Sequence, residues 1–182
     1  IGILAILATV TLLVLNPAQM FAQARDSQRI SDLNTVKSAV ALYLTTVSSP
    51  FLNGTDGALC ATKLWGTIGS TTPFTSRSSF QGSTATTTIG ITGWVPVALG
   101  SIPGGSPLSN LPFDPTSFSV TTNSNTNALY AYFYACDQTN ATFELNANME
   151  STRYATGGSD DKESTDGGDR TYMYETGTAL NL

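Results

Sequence analysis

Residues 157–169 hold the densest chemistry in the chain. They read GGSDDKESTDGGD and place Asp160, Asp161, Glu163, Asp166 and Asp169 in one glycine-rich loop. Hard cations such as Ca2+ take carboxylate and carbonyl oxygens, and glycine permits the tight turns that carbonyl ligation needs. The spacing is not that of an EF-hand. The opposing reading is an acidic loop kept apart by solvent, with Lys162, Arg153 and Arg170 as partial counter-charges. Paired carboxylates also hydrolyse glycosides, but from facing positions across a substrate rather than from one loop. No enzyme is expected.

Other chemistries are excluded by composition. The chain has 182 residues and no His, so Ser-His-Asp and Cys-His catalysis and His-ligated metal sites are absent. Two cysteines, Cys60 and Cys136, cannot build a four-thiolate metal site. A pI near 4.4 excludes a nucleic-acid surface, which needs Lys and Arg for phosphate. Net charge is −5, yet only 12% of residues are charged, about half the share usual in soluble domains. The charge is unevenly placed: residues 1–63 carry +1, residues 64–136 only Arg77 and Asp114, and residues 137–182 carry −6.

The elements that must position these groups begin with a helix. No charge precedes Arg25, and 24 uncharged residues as a helix span roughly 36 Å, enough for the hydrocarbon core of a bilayer. Pro17 interrupts this run and predicts a kink or a melted turn, since it clashes with the carbonyl of Leu13. Ala22-Gln23-Ala24 resembles a signal-peptide cleavage site. Against that, a basic start is missing and helical periodicity runs on through Ile30, Leu33, Val36, Val40, Tyr43, Leu44 and Val47. Arg25, Asp26, Arg29, Asp32 and Lys37 fall largely off that stripe. The reading is one helix over residues 1–48, apolar all round over 1–24 and amphipathic over 25–48, ended by Ser48-Ser49-Pro50.

Residues 49–127 are rich in Ser, Thr, Gly and Pro. Trp65, Phe74, Phe80, Trp94, Val95, Val97, Leu99 and Phe113 punctuate them, which argues for an irregular lobe rather than a disordered linker. Thr84–Ile89 has β-branched strand character, and Gly90, Gly93, Pro96, Gly100, Pro103, Gly104 and Gly105 mark turns. Residues 128–182 form the sheet. Ala128–Cys136 alternates Tyr130, Tyr132, Tyr134 and Cys136 with Leu129, Phe133 and two alanines, a strand apolar on both faces. The tyrosine stripe is core packing rather than a conducting wire. Asp137–Ala141 is a turn. Phe143, Leu145, Ala147 and Met149 then alternate with Glu144, Asn146, Asn148 and Glu150, a half-buried strand, and Thr171–Thr176 is a third strand. The expected fold is α+β: a long N-terminal helix packed on a small antiparallel β-sheet.

Two stretches carry a resemblance. Asn16-Pro17-Ala18-Gln19 with Ala24-Arg25-Asp26-Ser27-Gln28-Arg29-Ile30-Ser31-Asp32-Leu33-Asn34, and Leu111-Pro112-Phe113-Asp114-Pro115 before a Tyr-rich strand, resemble type IV pilins and the major pseudopilins of type II secretion. Ala5 stands where the family carries Glu at the fifth mature position, and the opening run looks like the family helix about a dozen residues in. The resemblance implies a lollipop-shaped subunit that polymerises into a helical filament of identical copies. Ile3, Leu4, Ile6, Leu7, Val10, Leu12, Leu13, Val14, Leu15 and Pro17 would line the filament core. It further implies an inner-membrane stage before assembly, a separate pilus assembly machinery, an extracellular filament serving adhesion, motility or cell contact, and no required cofactor. Calcium in a C-terminal loop of major pseudopilins brings Ca2+ back for the acidic loop. Extracellular exposure favours a Cys60–Cys136 disulfide, the alternative being two buried thiols. A pseudopilin of type II secretion and a membrane-anchored adhesin that never polymerises are the other readings. Asn53-Gly54-Thr55 and Asn140-Ala141-Thr142 fit the N-glycosylation pattern, and the hydroxyl-rich lobe suits O-linked sugars.

Overall fold

A computed structural model describes residues 2–3, 16–54, 57–67, 79–80, 87–116 and 130–182. Leu4, Ile6, Leu7, Val10, Leu12, Leu13, Val14 and Leu15 lie outside the described residues, as do Phe74, Leu129, the side chain of Phe80 and Thr84–Thr86 of the Thr84–Ile89 stretch. Ile3 is helical and 75% exposed. Among the described residues no helix is long and apolar enough to cross a membrane.

Helix α1 spans Pro17–Thr46. Of the kink or melted turn expected at Pro17, the described residues show a helix break just ahead of it. Asn16 is left-handed (φ 38°, ψ 76°) and Pro17 takes the first helical position. A proline there loses no hydrogen bond, because that N–H has no partner within the helix anyway. Pro17 thus opens α1 rather than bending it. Val47 closes it in an extended conformation, its N–H bonded to the Tyr43 carbonyl.

The strands are β1 (Lys63–Gly66), β2 (Ser79–Phe80), β3 (Tyr132–Asp137), β4 (Thr142–Ala147) and β5 (Tyr174–Gly177), in the order β2-β1-β3-β4-β5. Four of them, β1, β3, β4 and β5, form an antiparallel sheet, which gives the expected α+β class. The edge strand β2 is the exception and runs parallel to β1. Residues 67–78 separate the two, a connection of the length a crossover needs and a hairpin does not. The β3–β4 hairpin turns through Ala141, whose φ of 53° is left-handed. Asp137 holds that turn by accepting the amides of Thr139 and Asn140.

Register sets the two faces. Tyr132 opposes Ala147, Tyr134 opposes Leu145, and Cys136 opposes Phe143. These point toward α1 and join Leu33, Val36, Val40 and Tyr43 in the main core. Trp65, Trp94, Val95, Val97 and Leu99 belong to the same core, so the hydroxyl-rich lobe and the sheet are built on shared packing. Trp94 lies 5.7 Å from the Tyr132 ring and donates its indole N–H to the Pro112 carbonyl at 2.8 Å. A Cys60–Cys136 disulfide ties that lobe to the central strand. With a sequence separation of 76 between the cysteines, the chain-entropy model gives roughly 4–5 kcal/mol.

The opposite face corrects the sequence reading of β4. Glu144, Asn146 and Asn148 were expected to face solvent, yet all three are buried. Residues 151–172 and the C-terminal stretch cover them, beside a smaller apolar cluster of Leu64, Ala131, Phe133, Ala135 and Met173. Alternation along a strand tells which residues share a face, and only distant chain decides whether that face stays open.

Candidate functional site

The first candidate is α1 itself. Its five charged residues are Arg25, Asp26, Arg29, Asp32 and Lys37, and none is classed as exposed. This corrects their expected place off the packed stripe. Asp26 and Arg29 are fully buried. Arg29 is held there by Asp26 on the helix itself and by acids on two other segments, Asp114 and Glu150, the latter shared with Arg25.

Arg29 donates Nε to Asp114 Oδ2 at 2.6 Å and Nη2 to Asp114 Oδ1 at 2.9 Å, a bidentate fork. Its Nη1 reaches Asp26 Oδ1 at 2.7 Å and Glu150 Oε2 at 3.4 Å, and Nη2 also reaches Thr116 Oγ1 at 2.9 Å. The guanidinium carbon sits 4.9 Å from the Tyr130 ring centre. Asp26 in turn accepts the backbone amides of Glu150 and Ser151, both at 2.8 Å. Arg25 pairs with Glu150. Burial disfavours the charge on Arg29, but the bonds to Asp114 and Asp26 outweigh it and hold its pKa above the usual arginine value. The hydrogen bond from Arg25 pulls Glu150 below the usual carboxylate range. This clamp fixes the rotation of α1 on the sheet.

Asp32 and Lys37 complete the inward set. Tyr132 donates its hydroxyl to Asp32 Oδ2 at 2.8 Å, and Lys37 Nζ reaches Thr176 Oγ1 at 3.1 Å. Burial raises the Asp32 pKa. Asp32 also lines an open groove of about 540 Å³ beside α1, with Thr87, Leu111 and Phe113 on its other walls.

The outward side of α1 is therefore uncharged over its whole length. It presents Met20 (56% exposed) and Phe21 (65%), then Ala24, Ser27, Gln28, Ser31, Asn34, Thr35 and Ser38, and ends at Leu42. Ser27, Thr35 and Ser38 turn their hydroxyls back to carbonyls four residues earlier. These exposed residues are neutral, and apolar at the leading end. Ordinary solvent-facing helix surfaces carry charge.

The acidic loop is the second candidate, and several of its carboxylates bond the chain's own backbone while Asp160 and Asp169 stay open to solvent. Asp161 accepts the amides of Gly157, Glu163 and Ser164 and the Ser164 hydroxyl, which brings its pKa down to about 2. Glu163 is buried and accepts the amides of Met149 and Thr156. Asp166 accepts those of Gly168 and Glu175. Asp160 pairs with Lys162 and Arg153, and Asp169 lies 3.9 Å from Arg170. The five predicted ligands turn to separate partners. Among the described residues no three acids, thiols or imidazoles converge on a metal position.

A third cluster escaped sequence reasoning. Glu144 on β4 and Glu175 on β5 lie on the covered sheet face with Asn146 between them. Burial, then the bond and charge of Glu144, push the Glu175 pKa up to about 8. For Asp114 a signal did exist. It is one of two charges in residues 64–136, and an isolated charge in such a stretch invites a buried partner. Nothing in the strand alternation signalled Glu144 and Glu175.

No protein-family model, curated protein or solved structure matches this chain.

Proposed function

We propose that the chain is a structural subunit of a type IV pilin-like filament. The observation that carries this reading is that no exposed residue of α1 is charged: Asp26 and Arg29 are buried, and the half-buried Arg25, Asp32 and Lys37 bond Glu150, Tyr132 and Thr176 on other segments. A neutral face with an apolar leading end suits packing against other copies in a filament, where a charge would lose its water without a partner. The apolar run ahead of Pro17, with Ile3, Leu4, Ile6, Leu7, Val10, Leu12, Leu13, Val14 and Leu15, is the segment that waits in the inner membrane and then lines the filament core. Asn16 and Pro17 form the joint between that run and α1. The sheet and lobe face outward and meet other surfaces or cells, and the Cys60–Cys136 bridge suits that oxidising exterior.

Electron microscopy of purified surface material tests the proposal. Long helical filaments containing the chain support it. Short periplasmic filaments alone would place it with type II secretion pseudopilins. A protein that stays monomeric in detergent and enters no filament would be a membrane-anchored adhesin and would sink the reading. Ser31→Glu adds one charge to the neutral face. It is expected to abolish filaments while leaving unfolding free energy within about 0.5 kcal/mol of the parent.

A further inference from the structure

We propose that Glu144 and Glu175 share one bound proton, and that this proton latches the loop 166–170 and the chain around Leu182 onto the covered face of the sheet.

The geometry carries the argument. Both side chains are buried, at 0% and 2% exposure. Asn146 Nδ2 stands between them, donating to Glu144 Oε1 at 2.5 Å and to Glu175 Oε1 at 3.3 Å. Asn146 Oδ1 is also buried and accepts no hydrogen bond from the described residues. Rotation of this amide turns an acceptor toward the pair, so the same side chain serves a protonated carboxyl as well as an ionised one. The remaining oxygens hold the cover: Glu144 Oε2 accepts the Leu182 amide at 2.7 Å and Glu175 Oε2 accepts the Arg170 amide at 2.9 Å. A Cβ on Gly168 would collide with the Glu175 carboxylate, so the loop lies directly on it.

Charge around the pair does not balance two ionised carboxylates. The loop contributes Asp166, Asp169 and Arg170, with Arg170 Nε 3.9 Å from Glu175 Oε1. β1 and β3 contribute the apolar Leu64, Phe133 and Ala135 to this face. Asp166 bonds the Glu175 amide and adds further negative charge. Arg170 sets one positive charge against two buried carboxylates and Asp166, and a proton on the pair supplies the balance.

Loss of the proton leaves two buried carboxylates in contact, and the cover is then expected to lift. Carbon-detected NMR of the glutamate carboxyls in the wild-type chain reads the proton directly. A titration step with its midpoint near 8 is expected at Glu175. Native-state hydrogen exchange at pH 6 and pH 9 reads the cover. Protection of the Arg170 and Leu182 amides should fall by more than about tenfold beyond the intrinsic rate change, and stay constant in Glu175→Gln. Both carboxyls ionised below pH 6, or an unchanged loss of protection in Glu175→Gln, would overturn the proposal. So would tightening of the cover by added Ca2+ at pH 7, which would make the pair a cation site instead.

Discussion

Two buried polar clusters flank the same sheet and solve opposite problems. On the helix side, Arg29 meets Asp114, Asp26 and Glu150, and opposite charges within hydrogen-bond distance hold one another ionised. On the covered side, Glu144 and Glu175 meet each other, with one amide between them. The first cluster is stable because its members differ in sign. The second requires something from solution, a proton. Burial of charge is thus no single motif: its consequences depend on what balances it, and the two clusters should respond to the same perturbations with different sign.

The sharpest separation comes from neutralising one carboxylate. Asp114→Asn keeps the shape of the clamp but leaves Arg29 buried without its fork, and is expected to cost about 3–5 kcal/mol in urea unfolding. Arg29→Met combined with Asp114→Leu should recover much of that loss, because an apolar replacement leaves no buried charge behind. Equal stability of Asp114→Asn and the parent would show that the clamp is not held by charge.

Titration of stability should split the clusters next. The Glu175 pKa is raised in the folded state, so its contribution is fully present below pH ~4.5 and is lost as pH rises to about 8. The loss should amount to about 2–4 kcal/mol after allowing for partial solvation. The Glu150 pKa is lowered, so its contribution is present above ~4.5 and is lost in acid. Calorimetric melting across pH 3–9 should show both flanks. A flat alkaline flank would remove the contrast between the clusters.

Smaller effects calibrate these. Tyr132→Phe removes the hydroxyl that Asp32 accepts at 2.8 Å and should cost about 1 kcal/mol, measured in the same urea series. Ala141→Gly relieves a left-handed alanine in the β3–β4 turn, apart from both clusters. A gain of about 0.5–1 kcal/mol is expected at every pH. If that variant instead changed the pH profile, the turn would be coupled to one of the clusters.

Much of the fold is legible in the residue order. The stripe from Leu33 to Tyr43 packs on the sheet, Tyr132, Tyr134 and Cys136 share the core face, and the hairpin turns at 138–141, all as periodicity and turn chemistry require. The site is less legible. Lys37 and Asp32 look like solvent-facing helix residues until Thr176 and Tyr132 arrive from far along the chain. By composition the acidic loop is open to two readings, a solvated run or a Ca2+ site, and no residue pattern announces the backbone amides that Asp161, Glu163 and Asp166 accept.

The sequence by itself determined the classes of element and the limits of the chemistry. Hydrophobic period is a local property, and the absence of His needs no structure to be read. Only the tertiary structure decided which polar groups are buried and with whom. That choice rests on contacts across 85 residues for Arg29–Asp114 and 29 residues for Asn146–Glu175. Whether a buried charge is balanced by a partner or by a proton is set by distances of a few ångströms, which spacing along the chain does not encode.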